Sequence, residues 1–330
     1  MRKIEVTELF GSLEKTPEYF ITCASFESRC LTVAKEIKSI ASEIKSVVFH
    51  SSEADSILIN KESLANLLGD KTVFANLSLS DPIISADSIS KTIAPLIENK
   101  NGLLLIDITT FTHEQLLILV RFITYLKDKN LTNVDVAVVY NGAAKYSTNT
   151  SDEEIWLSRG VKDIRPVIGF SGVFKSSQLT QLVILVGFEH DRARAAIEHI
   201  EPAILTLGTG SKAESISPEL SDTNQKFEKR LTEFIENISF TFSDVLRIKV
   251  SLIDPIQTCN QILDSIQPET HNVIVCPMNT KISTLGAALA ALHDHRIQLT
   301  YVEPLEYNEK GYSEPDVFVR VGKLELFSRL

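Results

Sequence analysis

The chain has 330 residues, 44% of them apolar and 23% charged, with a formal net charge of −10. This length suits two domains of ordinary size, and the composition is that of a globular protein. The acidic balance and the lack of a long Lys/Arg run argue against non-specific nucleic-acid binding, and no stretch approaches the ~18 apolar residues of a membrane helix.

The start, MRKIEVTELFGSLEK, scatters charges where a secretory signal would carry an apolar segment. The four cysteines, Cys23, Cys30, Cys259 and Cys276, form no CxxC pair and sit in apolar runs. Buried thiols in a reducing cytoplasm are expected, with a disulfide as the alternative.

In chain order, residues 21–25 (ITCAS) predict a first strand and 30–45 (CLTVAKEIKSIASEIK) a helix with apolar spacing of three and four. Strands follow at 46–50, 72–79 and 103–108, then a helix at 113–129 and a strand at 134–140. Residues 147–178, with STNTSDEE, Gly160 and FSGVF, join two halves and include a candidate strand at 161–170. The second half predicts strands at 181–188, 203–208, 246–253, 272–278 and 297–303, with a helix at 283–295 before the last. Continuous Val/Ile/Leu runs suit strands buried on both faces, hence mostly parallel sheets with helical crossovers. The fold class expected is α/β: two tandem Rossmann-like units related by internal duplication. The boundaries are 1–150, a connecting segment 151–178, and 179–330.

The duplication rests on four matches in one order. YFITCASFESR (19–29) matches LVILVGFEHDR (182–192), and SLSDPI (78–83) matches SLIDPI (251–256). LLLIDITT (103–110) matches VIVCPMNT (273–280), and the pair Tyr140/Tyr146 matches Tyr301/Tyr307.

A parallel sheet of this kind binds ligands at the carboxyl ends of its strands, near the switch in strand order. Several repeated motifs fall there. Phe26, Glu27 and Arg29 follow the first strand, as Phe188, Glu189 and Arg192 do in the second unit. An Arg in a helix first turn opposes the dipole, so it needs a partner. That partner is either the nearby Glu, in a surface ion pair, or an anionic ligand.

Thr109, Thr110 and Thr112 lead into the helix at His113, with Thr112 and Gln115 spaced as a capping box. Asn279, Thr280 and Lys281 stand at the matching place in the second unit. Short polar side chains beside helix N–H groups hold a phosphate, or simply cap the helix. Tyr140 and Tyr301 end the last strands and suit either base stacking or packing. Asp81 and Asp254 precede prolines and are expected as turn residues.

His293-Asp294-His295 closes a helix, where the default is a favourable helix end and the alternative a metal. Thr206–Ser211 (TLGTGS) is a weaker ligand-loop candidate. No GxGxxG, GxxxxGK[ST], HExxH or GxSxG occurs, so no cofactor and no metal is expected.

Asn279-Thr280-Lys281, after an apolar strand and before a small-residue helix, resembles a degenerate form of the TGGTK-type ligand loop of CARF domains. Those are Rossmann-like sensors of cyclic oligonucleotides in prokaryotic antiviral defence that normally dimerise. SAVED domains resemble two such units in one chain. The loop glycines are missing here, and the first unit has Asp107-Ile108-Thr109-Thr110 without a lysine. The resemblance implies a non-catalytic sensor that binds a small anionic nucleotide-type messenger and signals to an effector protein partner. Two other readings stay open: a nucleotide- or nucleoside-processing enzyme using Glu27 or Glu189, and a protein-interaction scaffold.

Overall fold

The computed structural model describes residues 1–51, 54–146, 157–239, 241–309 and 313–325. The first half runs β1 (Arg2–Glu5), α1 (Leu9–Ser12), β2 (Tyr19–Cys23), α2 (Thr32–Ile37), β3 (Lys45–His50), α3 (Asp55–Leu68), β4 (Thr72–Asn76), α4 (Pro82–Ile97), β5 (Leu103–Asp107), α5 (His113–Asp128) and β6 (Asp135–Tyr146). Then come β7 (Ser158–Ser171), β8 (Leu179–Val186), α6 (His190–Ile200), β9 (Ile204–Gly210), α7 (Pro218–Asn237), β10 (Asp244–Val250), α8 (Pro255–Ser265), β11 (His271–Pro277), α9 (Lys281–His293), β12 (Gln298–Tyr307) and β13 (Ser313–Lys323).

The first sheet has the order β1-β13-β6-β5-β2-β3-β4, and the second β10-β9-β8-β11-β12-β7. Within the first, β4, β3, β2, β5 and β6 pair in parallel. Within the second, β10, β9, β8, β11 and β12 do so. Numbered within its own unit, each parallel set reads 3-2-1-4-5. That is the doubly wound order of Rossmann folds, whose switch point lies between strands 1 and 4. These are β2 and β5 in one unit, β8 and β11 in the other.

Helices pack against central strands that are buried along their length. β2 and β5 are buried at every position, and β8 and β11 at all but their first residues. Phe20, Leu105, Ala137 and Val139 share one core with Val33 and Leu64. Leu182, Ile184, Leu205 and Ile274 share the other with Ala196 and Leu231. Apolar burial of this kind contributes about 25 cal/mol per Å².

The two units are not consecutive stretches of chain. One comprises residues up to Tyr146 together with the C-terminal segment that holds β13; the other comprises the residues between. β7, within the segment expected only to connect, is the edge strand of the second sheet and pairs antiparallel with β12. β13, expected in the second unit, pairs antiparallel with β6 in the first sheet. Each sheet therefore takes the strand that follows the other sheet's last parallel strand in the chain. The STNTSDEE stretch, 147–154, lies outside the described residues.

The helix expected over 30–45 is shorter, α2 being flanked by 3-10 turns at Ser28–Leu31 and Lys38–Ile40. Both SLxDPI pieces leave their strands early. Asp81 accepts hydrogen bonds from the amides of Ile83 and Ile84, and Asp254 from that of Ile256, so each is a helix N-cap with proline in the first turn.

Candidate functional site

At the second unit's switch point, the loop 278–280 joins β11 to α9. The amide of Met278 donates to the Leu185 carbonyl, which brings this loop against the end of β8. Gly187 lies in that approach. Asn279 donates its Nδ2 to the Val186 carbonyl (2.5 Å) and accepts the Thr280 amide at Oδ1 (2.7 Å). Thr280 is the N-cap, its Oγ1 accepting the Ser283 amide at 3.2 Å. Lys281, half-buried, is the first residue of α9. The positive end of the α9 dipole and the Lys281 residue thus both stand near the carboxyl ends of β8 and β11, where Thr280 satisfies one helix amide.

The first unit performs the same join with other residues. Thr110 donates its Oγ1 to the Cys23 carbonyl at 2.6 Å, the role Asn279 has at Val186. Thr112 caps α5, and the capping box with Gln115 is present. The matching caps are therefore Thr112 and Thr280. The loop 108–112 is longer than 278–280, and its Phe111 is buried against Phe49, ring centroids 6.1 Å apart.

The two Glu–Arg motifs are buried constellations. Arg29 is 4% exposed and donates Nε and Nη2 to Glu27 Oε2 at 2.9 and 2.5 Å. Its Nη1 donates to the Asn141 carbonyl at 2.9 Å, and Ser313 donates its hydroxyl to the same Glu27 oxygen at 2.6 Å. Arg192, 3% exposed, pairs with Glu189 and donates Nε to the Val302 carbonyl at 2.7 Å. Ser158 donates to Glu189. Burial opposes each guanidinium charge, but the adjacent carboxylate outweighs it, and both arginines stay above their ordinary range.

Asp107, at the end of β5, is fully buried. Its Oδ1 accepts the Thr109 amide and hydroxyl, and its Oδ2 accepts Thr22 Oγ1. Thr109 Oγ1 also accepts the Asn141 amide at 3.0 Å, which joins Asp107 to the Arg29 cluster. Burial raises its pKa to about 6 against these bonds. Where VIVCPMNT is matched to LLLIDITT, the second unit has Pro277 at this position, so this titratable group belongs to one unit only.

Among the residues expected at a ligand site, Arg29, Thr109, Arg192, Tyr140 and Tyr301 are buried in the protein's own contacts. Tyr301 meets the guanidinium groups of Arg165 and Arg192, each 5.5 Å from its ring centroid, and its hydroxyl lies 3.2 Å from that of Tyr307. Tyr140 is 7% exposed, so packing describes both rings better than stacking on a base. Phe26 packs on the first core, and Phe188 meets Phe227 of α7 at 5.9 Å. Thr110, Thr112, Asn279, Thr280 and Lys281 gather at the switch points and keep partial exposure.

Ser158, Ser313 and Asn141 are the participants that sequence reasoning misses. Asn141, a polar residue amid the apolar β6, is the one with a visible signal. In TLGTGS, a Cβ on Gly208 or Gly210 would press on the side chain of Leu185 or Leu252, so these glycines stand in apolar packing. Asp294 of the His-Asp-His run pairs with Arg296. Among the described residues no group of His, Cys, Asp and Glu is placed to hold a metal, and no helix is long and apolar enough to cross a membrane. A small open cleft of about 80 Å³, lined by Arg2, Lys15, Leu103 and Asp135 among others, lies at the amino ends of β5 and β6, opposite the switch point.

No family model matches the sequence, and no curated protein matches it. The fold is similar to that of a type III CRISPR defence DNA nuclease activated by cyclic oligoadenylate, with a TM-score of 0.50 and 10% identity. The match covers 82% of this chain and spans 63% of that nuclease. A protein of the short-chain dehydrogenase/reductase type from Sinorhizobium meliloti 1021 overlays with a TM-score of 0.24 at 10% identity, covering 71% of this chain and 96% of that one. The phosphoethanolamine N-methyltransferase 1 of Haemonchus contortus overlays with a TM-score of 0.23 at 9% identity, covering 91% and 67%. Overlays as loose as these last two align no site. The likeness to the nuclease is a likeness of fold.

Proposed function

We propose that the chain is a CARF-like sensor: it binds a small anionic, nucleotide-type messenger and passes the signal to an effector protein in antiviral defence. The observation that carries this reading is the loop Asn279-Thr280-Lys281. It caps a 13-residue helix at the carboxyl end of a parallel strand, beside the switch in strand order, with a cation in the first turn. Anionic groups bind at such places because helix N–H groups and the dipole favour them. The fold shared with a nuclease activated by cyclic oligoadenylate supports a cyclic oligonucleotide as the messenger.

Thr110 and Thr112 provide the corresponding edge in the first unit without a lysine. In this reading the second unit supplies the cationic contact. The enzyme reading has less support, because Glu27 and Glu189 each accept from an arginine and a serine. A carboxylate so engaged is a poor nucleophile or base. The same burial favours a role for the Glu–Arg motifs in the fold.

The test is a thermal-shift screen with cyclic di-, tri- and tetranucleotides, ATP, NAD and nucleosides, with product analysis of each mixture. A ligand at 100 times its Kd adds about 2.7 kcal/mol of stability. The expected result is a shift with a cyclic oligonucleotide, lost in Lys281→Ala, without new products. A shift accompanied by turnover would replace the sensor with an enzyme, and no shift with any compound would leave the scaffold.

A further inference from the structure

The two Glu–Arg constellations agree in more than their sequence. In each, the arginine binds a backbone carbonyl of the last parallel strand, Asn141 in β6 or Val302 in β12. In each, the glutamate accepts a serine hydroxyl from the first residue of an antiparallel strand, Ser313 of β13 or Ser158 of β7. Each serine stands in register opposite a tyrosine that ends the last parallel strand: Ser313 opposite Tyr146, and Ser158 opposite Tyr307. The match includes chain order. β13 reaches the first sheet only after the chain has left the second, and β7 reaches the second only after the chain has left the first.

Both strands are held along their length by ladder pairs and by buried side chains such as Val319, Val321, Val167 and Phe170, and the serine contacts stand at their leading ends. β7 is an edge strand, paired on one side only. β13 has β6 on one side and the four-residue β1 on the other. Both ladders are interrupted by register shifts. Polar side chains serve the interruptions. Asn141 donates Nδ2 to the carbonyls of Asp316 and Phe318, and Glu303 pairs with Lys162 and Arg165 of β7. A hydroxyl donated to a buried, arginine-paired carboxylate is a charge-assisted bond in a low-dielectric setting, stronger than an ordinary ladder bond.

We propose that the two buried Glu–Arg pairs are strand latches. Each fixes the leading end of the antiparallel strand that its sheet receives from the far side of the other unit's chain, through one serine. The repeated motif is thereby a conformational device: loosening a latch frees the start of one exchanged strand while the parallel sheet stays closed. The proposal stands apart from the ligand reading and is tested without any ligand.

The test is hydrogen–deuterium exchange with peptide-level readout on the full chain, comparing wild type with Ser313→Ala, Ser158→Ala and Ser313→Thr. Loss of a hydrogen bond to a charged group should speed local opening roughly tenfold or more. Ser313→Ala is expected to accelerate exchange at the leading end of β13 and leave β7 unchanged, and Ser158→Ala to accelerate it at the leading end of β7 and leave β13 unchanged. Ser313→Thr, which keeps the hydroxyl, should stay near wild type. Unchanged exchange in both alanine variants would overturn the latch. So would an increase spread equally over β5 and β8, because it would mark the serines as general stability contacts.

Discussion

A Cβ on Gly187 would lie 2.0 Å from the carbonyl oxygen of Met278. No real Cβ comes that near a backbone oxygen, and neither loop is a flexible side chain that swings away. The glycine is what lets the loop 278–280 rest on the end of β8, where Asn279 reaches the Val186 carbonyl. Gly187→Ala is expected to force the loops apart and lower stability by about 1–3 kcal/mol, read as a shifted midpoint in urea unfolding. Gly11→Ala, where nothing lies within 4 Å, is the control and should be close to neutral.

Breaking one buried ion pair separates charge from geometry. Arg29→Met would leave the Glu27 carboxylate, 9% exposed, without its guanidinium and with the Ser313 hydroxyl as a remaining donor. Removing one partner of such a pair costs about 3–5 kcal/mol. Arg29→Met combined with Glu27→Gln should recover a large part of that loss, since no uncompensated charge remains. Chemical unfolding of the two single variants and the double variant closes the cycle. Additive losses in the double variant would mean that the two side chains act independently.

Much of the fold is legible in the sequence because the central strands carry long apolar runs. LLLID in β5 and LVILV in β8 are buried throughout, and parallel pairing with helical crossovers follows from that. Part of the site is legible too: Thr112 and Gln115 spell out their capping box, and Arg29 in a helical first turn signals that it needs a partner. The strand exchange is not legible. Ser313 lies 286 residues from Glu27, and a serine opening a strand looks like any turn residue. Nor does matching the two halves by sequence reveal which residues share a role. Asn279 aligns with Thr109, yet the side chain that does its work is Thr110, because the first unit's loop is longer.

The cysteines give a prediction about reactivity. All four are buried and none forms a disulfide. Burial pushes the thiols of Cys30 and Cys276 up to about 12 and that of Cys259 to about 11. The thiolate is the reactive form, so the native protein should resist a disulfide reagent at pH 8. Four thiols should titrate once the chain is unfolded in guanidinium. Rapid modification of any native cysteine would show a local opening that reaches the core.

Asp107 makes stability depend on pH with an unusual sign. Its folded-state pKa is raised to about 6 from 3.8, and desolvation is the main cause. Between these values the folded state holds a proton that the unfolded chain has released. The group's contribution is therefore most favourable below about pH 4 and is lost as pH rises to about 6. The salt-bridged Asp135 and Asp294, whose pKa values are lowered by Lys15 and Arg296, slope the other way, so the total curve hides the effect. The difference between wild type and Asp107→Asn isolates it. Asparagine can still accept from Thr109 through its oxygen and donate to Thr22 through its nitrogen, with no charge to bury. Unfolding free energies measured from pH 4 to 7 should show the variant gaining on wild type by an amount on the order of 3 kcal/mol, most of it acquired before pH 6.5. A pH-independent difference would mean that the Asp107 carboxyl titrates alike in the folded and unfolded chains, and that the threonines and Arg29 fully offset its burial.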